Sequence, residues 1–338
     1  MNELQIDFVV LWLDSTDPEW QELYAKYSPN TKGHTENARF RNMNIFQYWF
    51  RAVERYAPWV HKIFLITNGK FPDWINRNNP KLVLVKHEDY IPKEYLPTFN
   101  SNTIELHLHR IHGLSEHFVY FNDDMILNAP INQNYYFKYG LPCDRNKETC
   151  LNVPIYTKED KFGIDIIMLT DIGILNGNFN RWHVVKQSPK RWFGLHLGLK
   201  GLIMSALLAN QRRFIGFSNY HTEQAFLKSI IEEVWEKNAD FMYAFCTRFR
   251  EDQNVNQYIF RYWQFATNRF YPTKRNAQYF TLKKESLKDI ERVIQGSKCN
   301  SICLNDTPLC TERDYECTSQ ELKRIFEKKF PKKSSFEI

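Results

Sequence analysis

The sequence predicts an α/β fold: a largely parallel sheet core followed by a helical carboxyl-terminal half. Three observations predict it. Four short apolar runs in the first third, DFVVLWL (7–13), HKIFLIT (61–67), LVLV (82–85) and HFVYF (117–121), have the length and composition of strands covered on both faces. Helical spacing separates several of them, so the chain alternates as a parallel sheet requires. From Thr222 onward helical patterns dominate.

In chain order, the first strand ends near Asp14 and Asp17. Asn44–Tyr56 carries Ile45, Tyr48, Trp49, Ala52, Val53 and Tyr56 on one helical face, and Pro58 stops that helix. The second strand closes on the turn pair Asn68-Gly69. Asn102–Ile111 predicts a helix capped by Asn100 or Ser101. The fourth strand ends in Asn122-Asp123-Asp124. Residues 131–220 are rich in Asn, Lys, Tyr and Trp and suggest an irregular, substrate-facing insertion. Helices are then expected over Glu223–Trp235, Asn254–Phe265 and Lys284–Ile294, with a short strand Ile302–Leu304 ending in Asn305-Asp306. A capping pattern, Thr318-x-x-Glu321, opens the last helix. This divides the chain into 1–130, 131–220, a helical completion 221–317 and a basic helix and tail 318–338; alternatively, 1–317 is one catalytic domain.

Composition narrows the function classes. Of 338 residues, 43% are hydrophobic and 25% charged, as in ordinary globular proteins. Aromatics at 16% suit either a carbohydrate or nucleotide site or, more plainly, a Phe- and Tyr-rich core. A net charge of +6 suits a polyanionic ligand or an anionic membrane face and is too mild to single out nucleic acid, which is not expected as a partner. No segment is long and apolar enough to span a bilayer. The nearest, Phe193–Ala209, is interrupted by His196 and Lys200 and reads as a buried or interfacial helix. Seven cysteines without a leading signal pattern predict a reduced, cytoplasmic protein. Cys299, Cys303, Cys310 and Cys317 lie close together but lack the two-residue spacing of zinc knuckles.

Adjacent carboxylates at a buried strand end are costly unless a cation lies between them. Asp123 and Asp124 therefore either cap the next turn or hold a divalent ion, such as Mg²⁺ or Mn²⁺, against phosphate. Two basic clusters, Arg39-Phe40-Arg41 and Arg248-Phe249-Arg250, supply the guanidinium forks that fit phosphate.

Longer blocks carry a more specific signal. They are IDFVVLWLDSTDP (6–18), ARFRNMN (38–44), RAVERYAPWVHKIFLITNGKFPDWI (51–75), LPTFNSNTIELHLHRIHGLSEHFVYFNDDM (96–125), YHTEQAF (220–226), RFREDQNVNQYIFRYW (248–263) and SICLNDT (301–307). In these blocks the chain resembles the Stealth family of sugar-phosphate transferases. That family includes bacterial capsular polysaccharide phosphotransferases and the catalytic subunit of the eukaryotic lysosomal-enzyme GlcNAc-1-phosphotransferase. The chain departs from the family pattern at Asn42-Met43, at QYWFRA (47–52) and at Glu223, where a proline is frequent.

The resemblance implies a Rossmann-like, nucleotide-sugar transferase type of core. It also implies transfer of a hexose or N-acetylhexosamine 1-phosphate from a UDP-sugar, such as UDP-GlcNAc, to a glycan or lipid-linked glycan hydroxyl, releasing UMP. It places His221 as general base and Arg250, with Arg248, on phosphate charge. Asp123, Asp124, Asn305 and Asp306 fall to the metal, with Asp124 central to catalysis. Trp12, Asp14, Asn68, Gly69 and Asn100 are expected to hold the donor, and Arg39 and Arg41 either join them or pair with Asp14 and Asp17. Two other readings compete: a metal-dependent glycosyltransferase releasing UDP, and a non-catalytic glycan-binding module. Peripheral contact with the inner membrane is a further expectation; its candidate is the basic helix and tail 318–338, whose apolar face either lies on anionic lipid or docks on the protein's own core.

Overall fold

The computed structural model describes residues 4–28, 43–152, 164–251, 255–306 and 312–338. The chain begins with β1 (Ile6–Leu11), α1 (Pro18–Tyr27), α2 (Phe46–Tyr56), β2 (Ile63–Thr67), β3 (Leu82–Lys86), α3 (Ser101–Leu106), β4 (His117–Phe121) and β5 (Met125–Leu127). It continues through β6 (Phe137–Lys138), β7 (Leu141–Asp144), α4 (Ile164–Asn178), α5 (Arg181–Gln187), α6 (Pro189–Trp192), α7 (Gly198–Leu207) and β8 (Gln224–Leu227). The last elements are α8 (Lys228–Phe245), α9 (Tyr258–Ala266), β9 (Tyr271–Pro272), β10 (Ala277–Thr281), α10 (Leu287–Gly296), β11 (Ser301–Asn305) and α11 (Glu312–Lys329).

The main sheet has the order β3-β2-β1-β4-β8. Its first four strands are parallel and β8 runs antiparallel along β4. Ile6, Phe8, Val9 and Val10 are almost fully buried, as a strand covered on both faces requires. Asp7 in the same strand is buried but satisfied: it pairs with His61 and accepts from the amides of Lys62 and Ser115. The order reverses between β1 and β4, and such a switch point opens a crevice at the strands' carboxyl ends.

A second sheet, β10-β11-β5, runs β11 antiparallel to β5 and pairs Cys303 with Met125. A small third sheet, β6-β7-β9, contains a hairpin turned by Tyr139 and Gly140, both at positive φ (54° and 74°), the pairing a tight two-residue turn favours.

Several elements differ from expectation, each for a physical reason. Residues 224–227 form β8 rather than the first turn of a helix, because a stretch as short as Gln-Ala-Phe-Leu is decided by the strand beside it, here β4. The stretch expected to be irregular contains α4 to α7. Its backbone is anchored by two buried ion pairs, Arg181 with Glu148 and Arg261 with Asp144, both at 2.7 Å. Helix α1 was not expected, and Trp20 is its single buried residue. The helix of the 102–111 segment is cut to α3 plus one 3₁₀ turn, Leu108–Arg110, with Asn100 as the cap. Helix α9 starts at Tyr258, and α10 at Leu287 after a 3₁₀ turn.

The last helix starts at Glu312 rather than at Thr318, which is buried inside it. Its apolar face packs on the core. Leu322, Ile325, Phe326 and Phe330 are nearly inaccessible, Phe326 stacks on Tyr48 at 5.6 Å and Phe330 meets Tyr56 edge-on at 5.5 Å. Of the two readings of this helix, its apolar face takes the one in which it docks on the protein's own core. Among the described residues no helix is long and apolar enough to cross a membrane.

Candidate active site

Asp124 lies where the chain leaves the main sheet for the second one. The Met125 amide closes a turn on the Asn122 carbonyl at 3.1 Å, and the Asp124 carbonyl accepts from the Leu304 amide at 2.9 Å. Both sheets thus hold one carboxylate. Its Oδ2 accepts from the Cys303 thiol at 3.3 Å, while its Oδ1 is buried with no partner.

His221 reaches the same point by topology. Because β8 is antiparallel to β4, its first residue, Gln224, pairs with Tyr120, and the residues just before it lie at the carboxyl end of β4. Among the described residues, Asp124, His221 and Cys303 form the one group whose metal-capable atoms all lie within 4.8 Å of one another. Tyr279 of β10 meets the His221 ring edge-on at 5.9 Å. Asn305 ends β11, two residues beyond Cys303, and Asp306 follows it; Asn305 donates through Nδ2 to the Asp306 carbonyl.

Burial, then the charge of Asp124, pushes Asp123 up to about 7. Asp124 is itself raised by burial, with the charge of His221 opposing. Burial and the negative charge of Asp124 raise the Cys303 thiol well above the usual range, so it is a neutral donor rather than a thiolate. The group offers a carboxylate with one orphaned oxygen, an imidazole nitrogen and a protonated thiol, a donor set that could hold a divalent cation. The four clustered cysteines do not form a metal site among the described residues: Cys303 is drawn to Asp124, Cys299 is buried near Asn128, Cys317 is exposed, and Cys310 lies outside the described residues.

Sequence reasoning missed Glu105. It lies buried on α3, accepts from the Tyr120 hydroxyl at 2.8 Å through Oε1, and leaves Oε2 unpartnered. The same hydroxyl lies 2.6 Å from Asn122 Oδ1, joining Glu105 to the acidic turn. Burial pushes Glu105 up to about 7, against the Tyr120 bond and the charge of Arg250. Arg250 donates to the Ser101 hydroxyl at the start of α3. The available signal was a single acid among the neutral residues of LPTFNSNTIEL.

The remaining candidates divide. Trp12 and Asp14 follow β1, and Asn68 and Gly69 follow β2, all at the same end of the main sheet. Trp12 stacks on Phe46 at 6.1 Å, and Asp14 accepts from the amide and hydroxyl of Thr16. Asn68 Oδ1 is buried without a partner, and Gly69 has a φ of +124° with open space around its Cα. Arg248 and Asn100 act as braces: Arg248 donates to the Pro97 and Leu96 carbonyls and lies over Tyr27, and Asn100 caps α3 and donates to Thr247 and Phe249. Arg39 and Arg41 lie outside the described residues.

Comparison with known proteins adds a family. A model described as Stealth protein CR2, conserved region 2, matches residues 39–143. A capsular polysaccharide phosphotransferase WcwK of Streptococcus pneumoniae is 39% identical over 98% of both chains. The exopolysaccharide phosphotransferase cps2G of Lactiplantibacillus plantarum is 35% identical over 98% of this chain and 96% of its own. The receptor polysaccharide phosphotransferase WefC of Streptococcus gordonii is 36% identical over 99% of both.

Proposed function

The chain belongs to the Stealth family, and from that premise we propose that it is a polysaccharide phosphotransferase moving a sugar 1-phosphate from a UDP-sugar to an acceptor hydroxyl. The acceptor is a glycan or lipid-linked glycan, and the enzyme works on the cytoplasmic side. The observation that carries this reading is the convergence of Asp124 and His221 at the switch point of a parallel sheet.

The acceptor oxygen attacks the phosphorus nearest the sugar, its bond to that phosphorus forms, and the bond to the UMP oxygen breaks. His221 takes the hydroxyl proton onto its imidazole. Arg250, at the exposed rim above Glu105, neutralises charge gathering on the phosphate oxygens. Trp12, Asp14, Asn68 and Gly69 hold the nucleoside along the ends of β1 and β2. Asp123, Asp124 and Asn305, oriented by Asp306, would hold Mg²⁺ or Mn²⁺, which neutralises diphosphate charge when bound. Residues 1–130 supply most of the donor site and 131–220 face the acceptor.

Product analysis tests the reaction class. With UDP-sugar, acceptor and Mg²⁺ or Mn²⁺, UMP is expected in step with a phosphodiester resolved by phosphorus NMR. Stoichiometric UDP and a phosphorus-free product would show attack at the anomeric carbon and overturn the proposal. Binding of acceptor with no nucleotide released at all would leave a glycan-binding module.

A further inference from the structure

Helix α7 is built inside out. The face toward the body carries Gly201, Ser205 and Leu208, and the small residues bring the helix in close; a Cβ on Gly201 would lie 3.4 Å from Lys147 Cγ. The large side chains point the other way. Leu199, Ile203 and Leu207 follow one another at four-residue spacing and are 75%, 53% and 73% exposed, and Leu195 just ahead of them is 92% exposed. A helix dissolved in water on that side would place charged residues there. A continuous apolar stripe on an outer face marks an interaction surface.

Charge identifies the partner. From Ile172 to Thr222 the chain has seven Lys and Arg and no Asp or Glu. Arg181 is consumed by Glu148 inside the protein, but Lys190 before the helix, Lys200 on it, and Arg212 and Arg213 after it are exposed. A second copy docked through this face would set that cationic rim against itself, which costs energy. Glycans bind through hydrogen bonds and aromatic faces, which the leucine stripe does not offer. Apolar side chains ringed by cations fit the headgroup boundary of an anionic bilayer.

We propose that the outer face of α7 seats the enzyme on an anionic lipid surface. This docking does not depend on the reaction assigned above. Arg145 ties this helix to the reaction site, donating to the Leu197 carbonyl at the head of α7 (2.5 Å) and to the hydroxyl of Tyr220, the residue before His221 (3.2 Å). A lipid-borne acceptor would then reach the site without leaving its membrane.

Co-flotation of the full chain with phosphatidylcholine vesicles, with and without phosphatidylglycerol, tests this. Wild type should float with the anionic vesicles, less in high salt, and little with neutral ones. Leu199→Gln/Ile203→Gln/Leu207→Gln should bind at least about tenfold more weakly. Lys200→Glu/Arg212→Glu/Arg213→Glu should lose the preference for anionic lipid. Both variants should keep the wild-type circular dichroism spectrum and melting temperature. Wild type that stays with the soluble fraction, or variants that float as it does, would overturn the proposal. A wild-type dimer that the glutamine variant dissociates, with no lipid binding, would assign the face to a second copy instead.

Discussion

Glu105→Gln isolates the energetic cost of keeping a carboxyl inside this fold. Glu105 is 4% exposed, and one of its oxygens has no partner, so burial raises it from 4.5 to about 7. A raised carboxyl pKa means that the folded protein holds a proton which the unfolded chain has already released between pH 4.5 and 7. Stability attributable to this residue therefore falls as pH rises through that window. It is undiminished below 4.5 and fully lost above about 7.

A tenfold change in an ionisation constant is worth about 1.4 kcal/mol, so the cost at high pH is of the order of 3 kcal/mol. Glutamine keeps an oxygen for the Tyr120 hydroxyl and carries no charge. The variant should therefore match wild type near pH 4.5 and exceed it by up to about 3 kcal/mol at pH 8, a rise of roughly 4 °C in melting temperature for a chain of this size. Parallel urea and thermal melts across that range measure it. A gap that does not grow with pH, or a variant less stable than wild type at pH 8, would refute the reasoning. Turnover should fall in the same variant, because the carboxylate facing Arg250 belongs to the charge balance of the site.

Other substitutions test separate parts of the structure. His221→Ala should lower kcat by roughly 10²–10⁴-fold with the donor KM little changed; a lost donor affinity at intact kcat would move His221 to nucleotide binding. Asp124→Asn can still accept from the Cys303 thiol, so it should melt at or above the wild-type temperature while UMP release disappears; near-normal release would remove Asp124 from the chemistry. Phe326→Ala should cost about 3–5 kcal/mol in a denaturant titration, since Phe326 is 1% exposed and stacked on Tyr48, and a near-neutral result would contradict the docking of α11.

What was legible in the sequence followed from local chemistry. The cores of β1, β2 and β4 are runs whose every residue seeks burial, so both their existence and their acidic or amide ends were visible in a short window. Helix α1 was not visible, because Trp20 alone is buried and no apolar stripe repeats. Helix α7 carried an apolar stripe, but no sequence pattern reveals that the stripe faces outward. The same limit governs the site. That Asp124 ends a strand is local information. That His221 and Cys303 meet it depends on β8 running antiparallel to β4 and β11 antiparallel to β5, and nothing within ten residues of either declares that direction. Arg248 and Asn100 show the converse: their side chains could bind a donor, but the carbonyls of Leu96, Pro97, Thr247 and Phe249 use them to brace the wall of the site. Residue type limits the chemistry available, and the tertiary partner decides which of it is used.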